Sequence, residues 1–331
     1  MMPKNRPKTA SDEKAPIAVL HVAHSPHLCQ TARTTQRMMI DVVIAVTPLL
    51  VVSFFVFRWY AVKQIAVCLA SCLAAEVIFT KMRRRSLSLS DWSATVTGII
   101  LALSLPGPAP WYVGVIASFV SIGIGKIIFG GIGMNIFNPA MVGRAFVMIA
   151  FAGNLAASGY VDPMSPIDAM TQATPMDAFK QTGATATLSA LFWGLTNGSL
   201  GETSAVACII GGFYLCLRRT ASWEIPVGVI LSAGVMAGIA NLADLQSHWT
   251  VLHHLLGGSL LFGAFFIATD PVSSPLAPKG KFIFGVGVGF FIMLLRFYSG
   301  YPEGVMFAVL LMNALTPLIN HWTIPRTFGE K

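Results

Sequence analysis

The sequence predicts an all-α integral membrane protein of about ten transmembrane helices. Three observations support this prediction: 55% of the 331 residues are hydrophobic, only 11% are charged, and the apolar residues form long continuous stretches. A soluble domain carries about 25% charged residues, so this composition cannot build a water-facing surface. Continuous apolar stretches also favour helices over a transmembrane barrel, because barrel strands alternate in polarity.

Ten apolar segments are expected to cross or enter the membrane. A spanning helix needs roughly 20 apolar residues, and fewer where neighbouring protein shelters it. The segments are 40–57, 62–80, 93–105, 110–128, 139–152, 203–217, 225–242, 253–268, 282–297 and 304–320. The stretch 188–195 is too short to span a bilayer, so we assign it to the external side. The first segment follows a polar, basic stretch, and no cleavable signal peptide is predicted.

These segments divide the chain into two halves of five helices. The predicted divisions are a cytoplasmic segment 1–39, a first half 40–152, an external loop 153–202, a second half 203–320 and a cytoplasmic tail 321–331. The third span ends in LSLPGPAP and the eighth in IATDPVSSPLAP, and a Gly-rich span follows each. Five spans per half make the halves antiparallel, so we expect an inverted repeat with a site at its interface. The alternative is that Gly and Pro are simply frequent in membrane helices.

The basic residues predict the orientation of the chain. With the N-terminus in the cytoplasm, 18 of the 22 Lys and Arg residues lie inside, Lys126 and Arg144 among them. The four outside are Arg58, Lys63, Lys180 and Arg296. Such a bias is the topology signal of membrane proteins. The net charge of +8 therefore indicates orientation and not a nucleic-acid partner, and the loop 153–202 is predicted to be external.

Glu76 is the one carboxylate well inside a predicted span. Charges within spans are costly, so each is by default a candidate for function. We consider Glu76 a candidate for an ion pathway. The alternative is a structural ion pair with Lys81, which follows a little over one helical turn later.

The external loop contains the most informative string, DAMTQATPMDAFK at residues 168–180. From the residues alone, Thr174-Pro175 with Asp177 three residues later is typical of a helix cap. The string offers no metal or triad arrangement. Its capping pattern predicts a short helix that begins beside Thr174.

The same string resembles the acceptor motif of bacterial flavin transferases. These enzymes take FMN from FAD and attach it through a phosphoester to the last Thr of Asp-x-x-Thr-x-Ala-Thr. The resemblance implies that Thr174 carries covalent FMN, and that the transferase recognises Asp168, Thr171 and Ala173. A flavin tethered through its phosphate keeps its ring free to carry electrons. The transferases act outside the cytoplasmic membrane, on the side where the charge count places this loop.

Nearly the whole chain resembles the RnfD family of the Rnf complex, an ion-translocating ferredoxin:NAD oxidoreductase. The matching strings are SPH at 25–27, GGIGMNIFNPAMVG at 130–143, TQATPMDAFK at 171–180, GAFFIATDPV at 263–272 and YPEGVMFAVLLMN at 301–313. The homologous NqrB component of the sodium-pumping NADH:quinone oxidoreductase is similar, but it more often shows Ser-Gly-Ala-Thr at the acceptor site. The resemblance implies a bacterial inner-membrane location, with RnfA, RnfB, RnfC, RnfE and RnfG as partners.

The resemblance further implies a second, non-covalent flavin, riboflavin in relatives, near the cytoplasmic face. Asn135, Asn138 and Asp270 are the candidate residues, because they lie at matching points of the two halves and flavin edges need paired donors and acceptors. Helix capping is the alternative for Asn135, Asn138 and Asp270 alike. Relatives tend to carry Asp where this chain has Asn320, which leaves open whether the ion is sodium or a proton.

The sequence thus predicts a membrane flavoprotein subunit that carries electrons and couples them to ion transport. It is a subunit of an oxidoreductase and is not expected to be catalytic alone. The rival is a secondary transporter of a small solute without a redox role, because an inverted repeat supports it equally well. A purely structural scaffold is the third alternative. Covalent flavin at Thr174 distinguishes the redox function from both.

Overall fold

The structure, a computed structural model, describes residues 34–85, 89–156, 174–182, 186–194, 196, 198–243, 249–299 and 303–325. Helices dominate the described residues. The β-type pairing found among the described residues is an isolated bridge between Pro106 and Ser199. The prediction of an all-α membrane protein is confirmed.

Five described helices are long and apolar enough to cross a membrane. They are α1 (Thr35–Phe57), α2 (Trp59–Met82), α10 (Glu224–Leu242), α13 (Pro278–Tyr298) and α14 (Val305–Thr323). Four further apolar helices are shorter, and the first of them is buried along nearly its whole length: α3 (Ser93–Ser104), α4 (Trp111–Ile122), α5 (Pro139–Ala150) and α9 (Ala205–Leu217). Short helices of this kind are tolerated at membrane depth where surrounding protein satisfies their ends.

The remaining helices are short. They are α6 (Ala152–Ala156), α7 (Pro175–Thr182), α8 (Leu188–Trp193), α11 (Val251–Leu256) and α12 (Leu260–Phe262). The six-residue α8 confirms that the stretch 188–195 is too short to span. The eighth predicted segment, 253–268, is not one continuous helix, because α11 ends at Leu256 and Gly258 adopts a positive φ of 68° before α12.

Two π-helical segments lie in the middle of the bundle. The first, Gly123–Ile127, continues α4, and the second, Gly263–Ile267, continues α12. Single-turn π segments inside α-helices are rare and frequently occur at functional sites. Their presence in both halves directs attention to the loops that follow them.

The two halves meet through specific helix pairs. Helix α1 packs against α9, and α5 packs against α14; within the second half, α13 packs extensively against α10. The end of α3 also contacts the segment that precedes α9, since the backbone N–H of Gly201 donates to the Leu103 carbonyl at 2.7 Å. The inverted relation between the halves stays a prediction.

The outer surface of the helices is apolar. Phe55, Trp59, Ile149 and Leu242 are between 70% and 91% exposed in the isolated chain. A water-soluble protein rarely exposes large apolar side chains in this number, whereas lipid accommodates them. The chain is therefore a multi-pass membrane protein.

Three basic residues that enter the charge count are largely buried inside the protein. Lys126 and Arg144, counted as cytoplasmic, are 3% and 16% exposed in their side chains and form ion pairs within the protein. Arg296, counted as external, is 1% exposed and donates to backbone carbonyls. These side chains stabilise the interior of the bundle and do not act as surface topology signals.

Candidate functional site: a pocket between the two halves

A pocket opens at the junction of the two halves, and its empty space with the mouth included is about 810 Å³. Its walls come from α1, α3, the first π segment, the loop before α5, the C-terminal part of α9 and the loop after the second π segment. The three residues proposed from sequence for a second flavin, Asn135, Asn138 and Asp270, all line it. Residues far apart in sequence thus converge on one cavity.

The loop between the first π segment and α5 forms one side of this pocket. Gly130, Gly131 and Gly133 adopt positive φ values of 129°, 111° and 86°, which residues with a Cβ rarely adopt. Arg83 and Arg85, which follow α2, donate to the carbonyls of Ile127 and Gly130. The Asn135 side chain donates to the Phe137 carbonyl at 3.0 Å, so this amide also shapes the loop.

Asn138 is both the cap of α5 and a bridge to the other half. Its Oδ1 accepts from the backbone N–H groups of Ala140 at 3.1 Å and Met141 at 3.4 Å, as expected of an N-cap. Its Nδ2 donates to the carbonyl of Ile267, 3.1 Å away in the second π segment. An amide nitrogen carries two protons, so one donor of Asn138 remains for an occupant of the pocket.

Asp270 lies in the loop between the second π segment and α13. Its carboxylate accepts from the backbone N–H of Val272 at 3.2 Å and from Ser273 Oγ at 2.9 Å. Burial raises the pKa of the Asp270 carboxyl above its usual 3.8, and the hydrogen bonds from Ser273 and Val272 oppose this rise. Each of the two carboxylate oxygens of Asp270 thus accepts one of these hydrogen bonds at the wall of the pocket.

Glu76 pairs with a different lysine from the one considered from sequence. Lys126 Nζ lies 2.7 Å from Glu76 Oε1 and 2.9 Å from Oε2, whereas Lys81 is exposed. The pairing with Lys81 was thus wrong. Lys126 is 50 residues away on another helix, and only the packing of the first π segment against α2 brings it to Glu76.

The ion pair continues into a chain of polar contacts. Lys126 Nζ lies 2.5 Å from Ser93 Oγ, which donates in turn to Asp91 Oδ1 at 2.6 Å. Lys126 and Ser93 line the pocket, and Asp91 is partly exposed at the start of α3. The chain therefore connects the fully buried Glu76 to a partly exposed carboxylate along the pocket wall.

Thr174 lies at the start of α7, as the capping pattern predicts. The backbone N–H of Ala178 donates to the Thr174 carbonyl at 2.8 Å, which is the first hydrogen bond of the helix. Phe179 of α7 stacks on the buried Trp249, with ring centroids 4.7 Å apart. This contact fixes α7 against the second half. The other acceptor-motif residues, Asp168, Thr171 and Ala173, lie outside the described residues.

A second group of charged residues, which the sequence did not single out, lies around the broken helix α11–α12. Arg144 Nη2 lies 3.7 Å from Glu202 Oε1, and the Glu303 carboxylate accepts from the backbone N–H and hydroxyl of Ser259. Arg296 donates to the carbonyls of His254 and Gly257 at 2.6 and 2.9 Å. The sequence signal for this group of charged residues was Arg144, which lies inside the predicted span 139–152. These contacts satisfy backbone groups that the helix break leaves open.

Asn320 has a structural partner in the loop before α13. Its Oδ1 accepts from the backbone N–H of Leu276 at 3.0 Å. Leu276 lies in the loop that precedes α13, so this amide ties α14 to that loop. An Asp side chain offers the same acceptor, and the contact itself does not distinguish the two residues.

The residues of the pocket fit a flavin ring. Val42, Val96, Ile100 and Phe266 supply apolar walls, and the polar side chains of Asn135, Asn138 and Asp270 are also part of the lining. Small-molecule sites typically have mostly apolar linings and a small number of oriented polar groups. A flat ring with donors and acceptors along one edge matches this arrangement.

Comparisons with known proteins agree with these observations. Residues 21–329 match the model of the NQR2, RnfD, RnfE family. The chain is 38% identical over 314 residues to the D component of the Na(+)-translocating ferredoxin:NAD(+) oxidoreductase complex of Acetobacterium woodii, with 94% of this chain and 95% of the relative covered. It is 36% identical to the proton-translocating counterpart of Clostridium ljungdahlii, covering 95% of this chain and 97% of that relative.

A further relative, the D component of the ion-translocating oxidoreductase complex of Stutzerimonas stutzeri, is 38% identical over 329 residues, with 90% of this chain and 93% of the relative covered. The residues matched by the family model include the loops that form the pocket and both members of the Glu76–Lys126 ion pair. With its helical membrane architecture and a family match over nearly its whole length, the chain belongs to the NQR2, RnfD, RnfE family.

Proposed function

We propose that this chain is RnfD, the membrane flavoprotein component of an ion-translocating ferredoxin:NAD oxidoreductase complex. In this function it carries electrons through flavins and couples their passage to ion movement. The observation that carries the proposal is the pocket, because residues of both halves and both π segments meet there around Asn135, Asn138 and Asp270. The relatives bear the names of such complexes, and the match spans more than nine-tenths of the chain.

The pocket is the proposed site of a non-covalent flavin, riboflavin in type. A bound flavin supplies one- and two-electron transfer there. The side chains have separate tasks: apolar residues such as Val96 and Phe266 exclude water, and Asn135 and Asn138 orient the polar edge of the ring. Asp270 adds an acceptor to the lining of the pocket.

Thr174 is the proposed attachment point of a covalent FMN, joined through a phosphoester. Its support is the acceptor spacing with Asp168, Thr171 and Ala173, together with the position of Thr174 at the start of a helix. A helix N-terminus favours a phosphate group, because its free N–H groups and its dipole attract negative charge. A flavin transferase is the maturation partner that this attachment requires.

The proposed location is the bacterial inner membrane, with both termini cytoplasmic and the Thr174 loop on the external side. The other components of the complex, RnfA, RnfB, RnfC, RnfE and RnfG, are the proposed partners. A hydrocarbon core about 30 Å thick separates the two faces, so relay centres in these partners are needed if the flavins lie at opposite surfaces. Glu76 is the proposed residue of the ion pathway, and its chain to Asp91 is the support.

A secondary transporter without a redox role is the rival, and flavin analysis separates it from the proposal. The full-length protein is purified from a host that expresses the flavin transferase, precipitated with acid, and the supernatant is assayed for flavin. We expect about one released flavin per chain in the wild type and a severalfold loss in Asn135→Ala. Thr187→Ala, which alters only the cap of α8, serves as the control. A supernatant free of flavin would contradict the pocket assignment.

A further inference from the structure

The ammonium group of Lys126 occupies a site made of oxygen atoms. Glu76 Oε1, Glu76 Oε2 and Ser93 Oγ lie 2.7, 2.9 and 2.5 Å from Lys126 Nζ. Glu76, Lys126 and Ser93 are 0%, 3% and 6% exposed. Carboxylate and hydroxyl oxygens are also the ligands that hard metal cations prefer. The position of Nζ is therefore one that a mobile cation is able to fill.

Lys126 separates this oxygen site from the pocket. Lys126 and Ser93 line the pocket, whereas Glu76 is not among its lining residues. A lysine ammonium sits on a flexible four-carbon stem, so it can move by several ångströms without a change of backbone. The same positive charge can thus face Glu76 or an occupant of the pocket.

A polar route leads from the surface to the oxygen site. Asp91 is partly exposed at the start of α3, and its Oδ1 accepts from Ser93 Oγ at 2.6 Å. Ser93 Oγ is in turn one of the three oxygens around the ammonium. A cation that enters at Asp91 therefore reaches Glu76 by passing one hydroxyl group.

We propose that Lys126 is a tethered cation that alternates between the Glu76–Ser93 oxygen site and the pocket. When negative charge arrives in the pocket, Lys126 turns towards it, and a monovalent cation, sodium or a proton, replaces the ammonium at Glu76. Sodium would coordinate the oxygens without a change of covalent bonds, whereas a proton from the solvent would form an O–H bond on the Glu76 carboxylate; in both cases charge balances because one cation enters for the one that leaves. The source of the negative charge rests on the proposed function, since an added electron in the pocket would provide it.

The exchange obeys the general condition for coupling. A negative charge in the pocket shifts the equilibrium between the two positions of the Lys126 ammonium group only by the difference in its interaction energy with the ammonium at each position. The buried surroundings make that difference large, because interactions between charges are screened less inside a protein than in water. A sodium-translocating and a proton-translocating relative are similar to this chain to nearly the same extent, so the test below is designed for either ion.

The first test removes the tethered cation. In full-length Lys126→Met, Glu76 keeps its carboxylate, so sodium chloride should raise Tm in a saturable way relative to choline chloride at equal ionic strength. If the mobile ion is a proton, lowering the pH should raise Tm instead, with no sodium effect. Glu76→Gln/Lys126→Met lacks the carboxylate and should show no sodium effect and no pH response beyond that of the wild type. Lys81→Met, an exposed lysine on the same helix as Glu76, should behave as the wild type.

The contrary result is equally defined. If Lys126→Met responds to sodium and to pH no more than the double variant, the oxygen site does not bind a cation and the proposal is wrong. This arm needs no flavin, so it fails or succeeds independently of the proposed function.

A second measurement covers the case in which Lys126→Met does not fold. Wild-type protein with acid-releasable flavin is compared before and after dithionite reduction. Sodium-dependent stabilisation, or a pH dependence beyond that of the oxidised protein, should appear in the reduced protein, where Lys126 has turned to the pocket. Equal responses in both states would overturn the exchange. Protein without releasable flavin would instead contradict the proposed function.

Discussion

The side-chain Nδ2 of Asn138 lies 3.1 Å from the backbone carbonyl oxygen of Ile267, 129 residues later in the chain. This hydrogen bond joins the start of α5 in the first half to the second π segment in the other half. The Asn138 Oδ1 simultaneously caps α5. One side chain therefore sets both the direction of a helix and the distance between the two walls of the pocket.

Replacing Asn138 should separate these two tasks. Asn138→Asp keeps an acceptor for the cap but cannot donate to the Ile267 carbonyl, and it places a carboxylate against that oxygen. Asn138→Ala loses both contacts, and loss of an N-cap alone costs about 0.5–2 kcal/mol. We expect both variants to lose releasable flavin severalfold, and Asn138→Ala to have the lower Tm. Full flavin content in Asn138→Asp would show that the bridge does not hold the pocket together.

Glu76→Gln should reduce ion transport more than electron transfer. The carboxylate is the fully buried end of the polar chain from Asp91, and the amide cannot replace its charge. In proteoliposomes containing the complete complex, we expect at least a tenfold smaller ion gradient for a given electron flux. Lys81→Met is the matched control and should transport as the wild type. A normal gradient with normal electron transfer would remove Glu76 from the pathway.

Asp270 predicts a dependence of stability on pH. Because burial raises the folded-state pKa of this acid above 3.8, the folded protein holds the proton more tightly than the unfolded chain. Its stabilising contribution is complete below about pH 3.8 and declines as the pH rises through the raised value. Asp270→Asn lacks this titration, so its Tm relative to the wild type should increase with pH from acidic to neutral conditions. A constant Tm difference across this range would contradict the assignment.

Two glycines of α10 test the packing of the second half. A Cβ on Gly228 would lie 2.8 Å from the Phe282 carbonyl oxygen of α13, whereas a Cβ on Gly238 would have no neighbour within 4 Å. Gly228→Ala should destabilise the protein by about 1–3 kcal/mol, since the opposing atoms belong to the backbone. Gly238→Ala should be neutral or stabilising by up to about 1 kcal/mol. Thermal unfolding of the two variants in one detergent compares them directly.

Much of the pocket was predictable because it is built from loops that end helices. Asn138-Pro139 and Asp270-Pro271 carry the capping signals of helix and turn starts, and their matching places in two halves led to a shared site. The capping alternative is confirmed for Asn138, whose oxygen caps α5 and whose nitrogen also bridges to the other half, while its role in a flavin site stays a prediction. Local patterns identify such residues because caps and turns depend on neighbours in sequence.

The partners of buried charges were not predictable from spacing. Glu76 suggested Lys81 because both belong to one helix, yet the contact is with Lys126 on the first π segment. The charge count likewise used Arg144 and Arg296 as topology signals. In the structure, Arg144 donates to the Ser104 carbonyl at the end of α3, and Arg296 donates to the Gly257 carbonyl at the break between α11 and α12. These contacts depend on how helices pack, and a single sequence contains no direct record of that.

Covalent flavin at Thr174 is what most separates a redox protein from its rivals, and a denaturing gel viewed under ultraviolet light tests it directly. Full-length protein, Thr174→Ala and the control Thr187→Ala are expressed with the flavin transferase and run side by side. We predict a fluorescent band for the wild type and for Thr187→Ala, and none for Thr174→Ala. An equally fluorescent Thr174→Ala band, or a wild-type band without fluorescence, would contradict the assignment of this chain as a covalent flavoprotein.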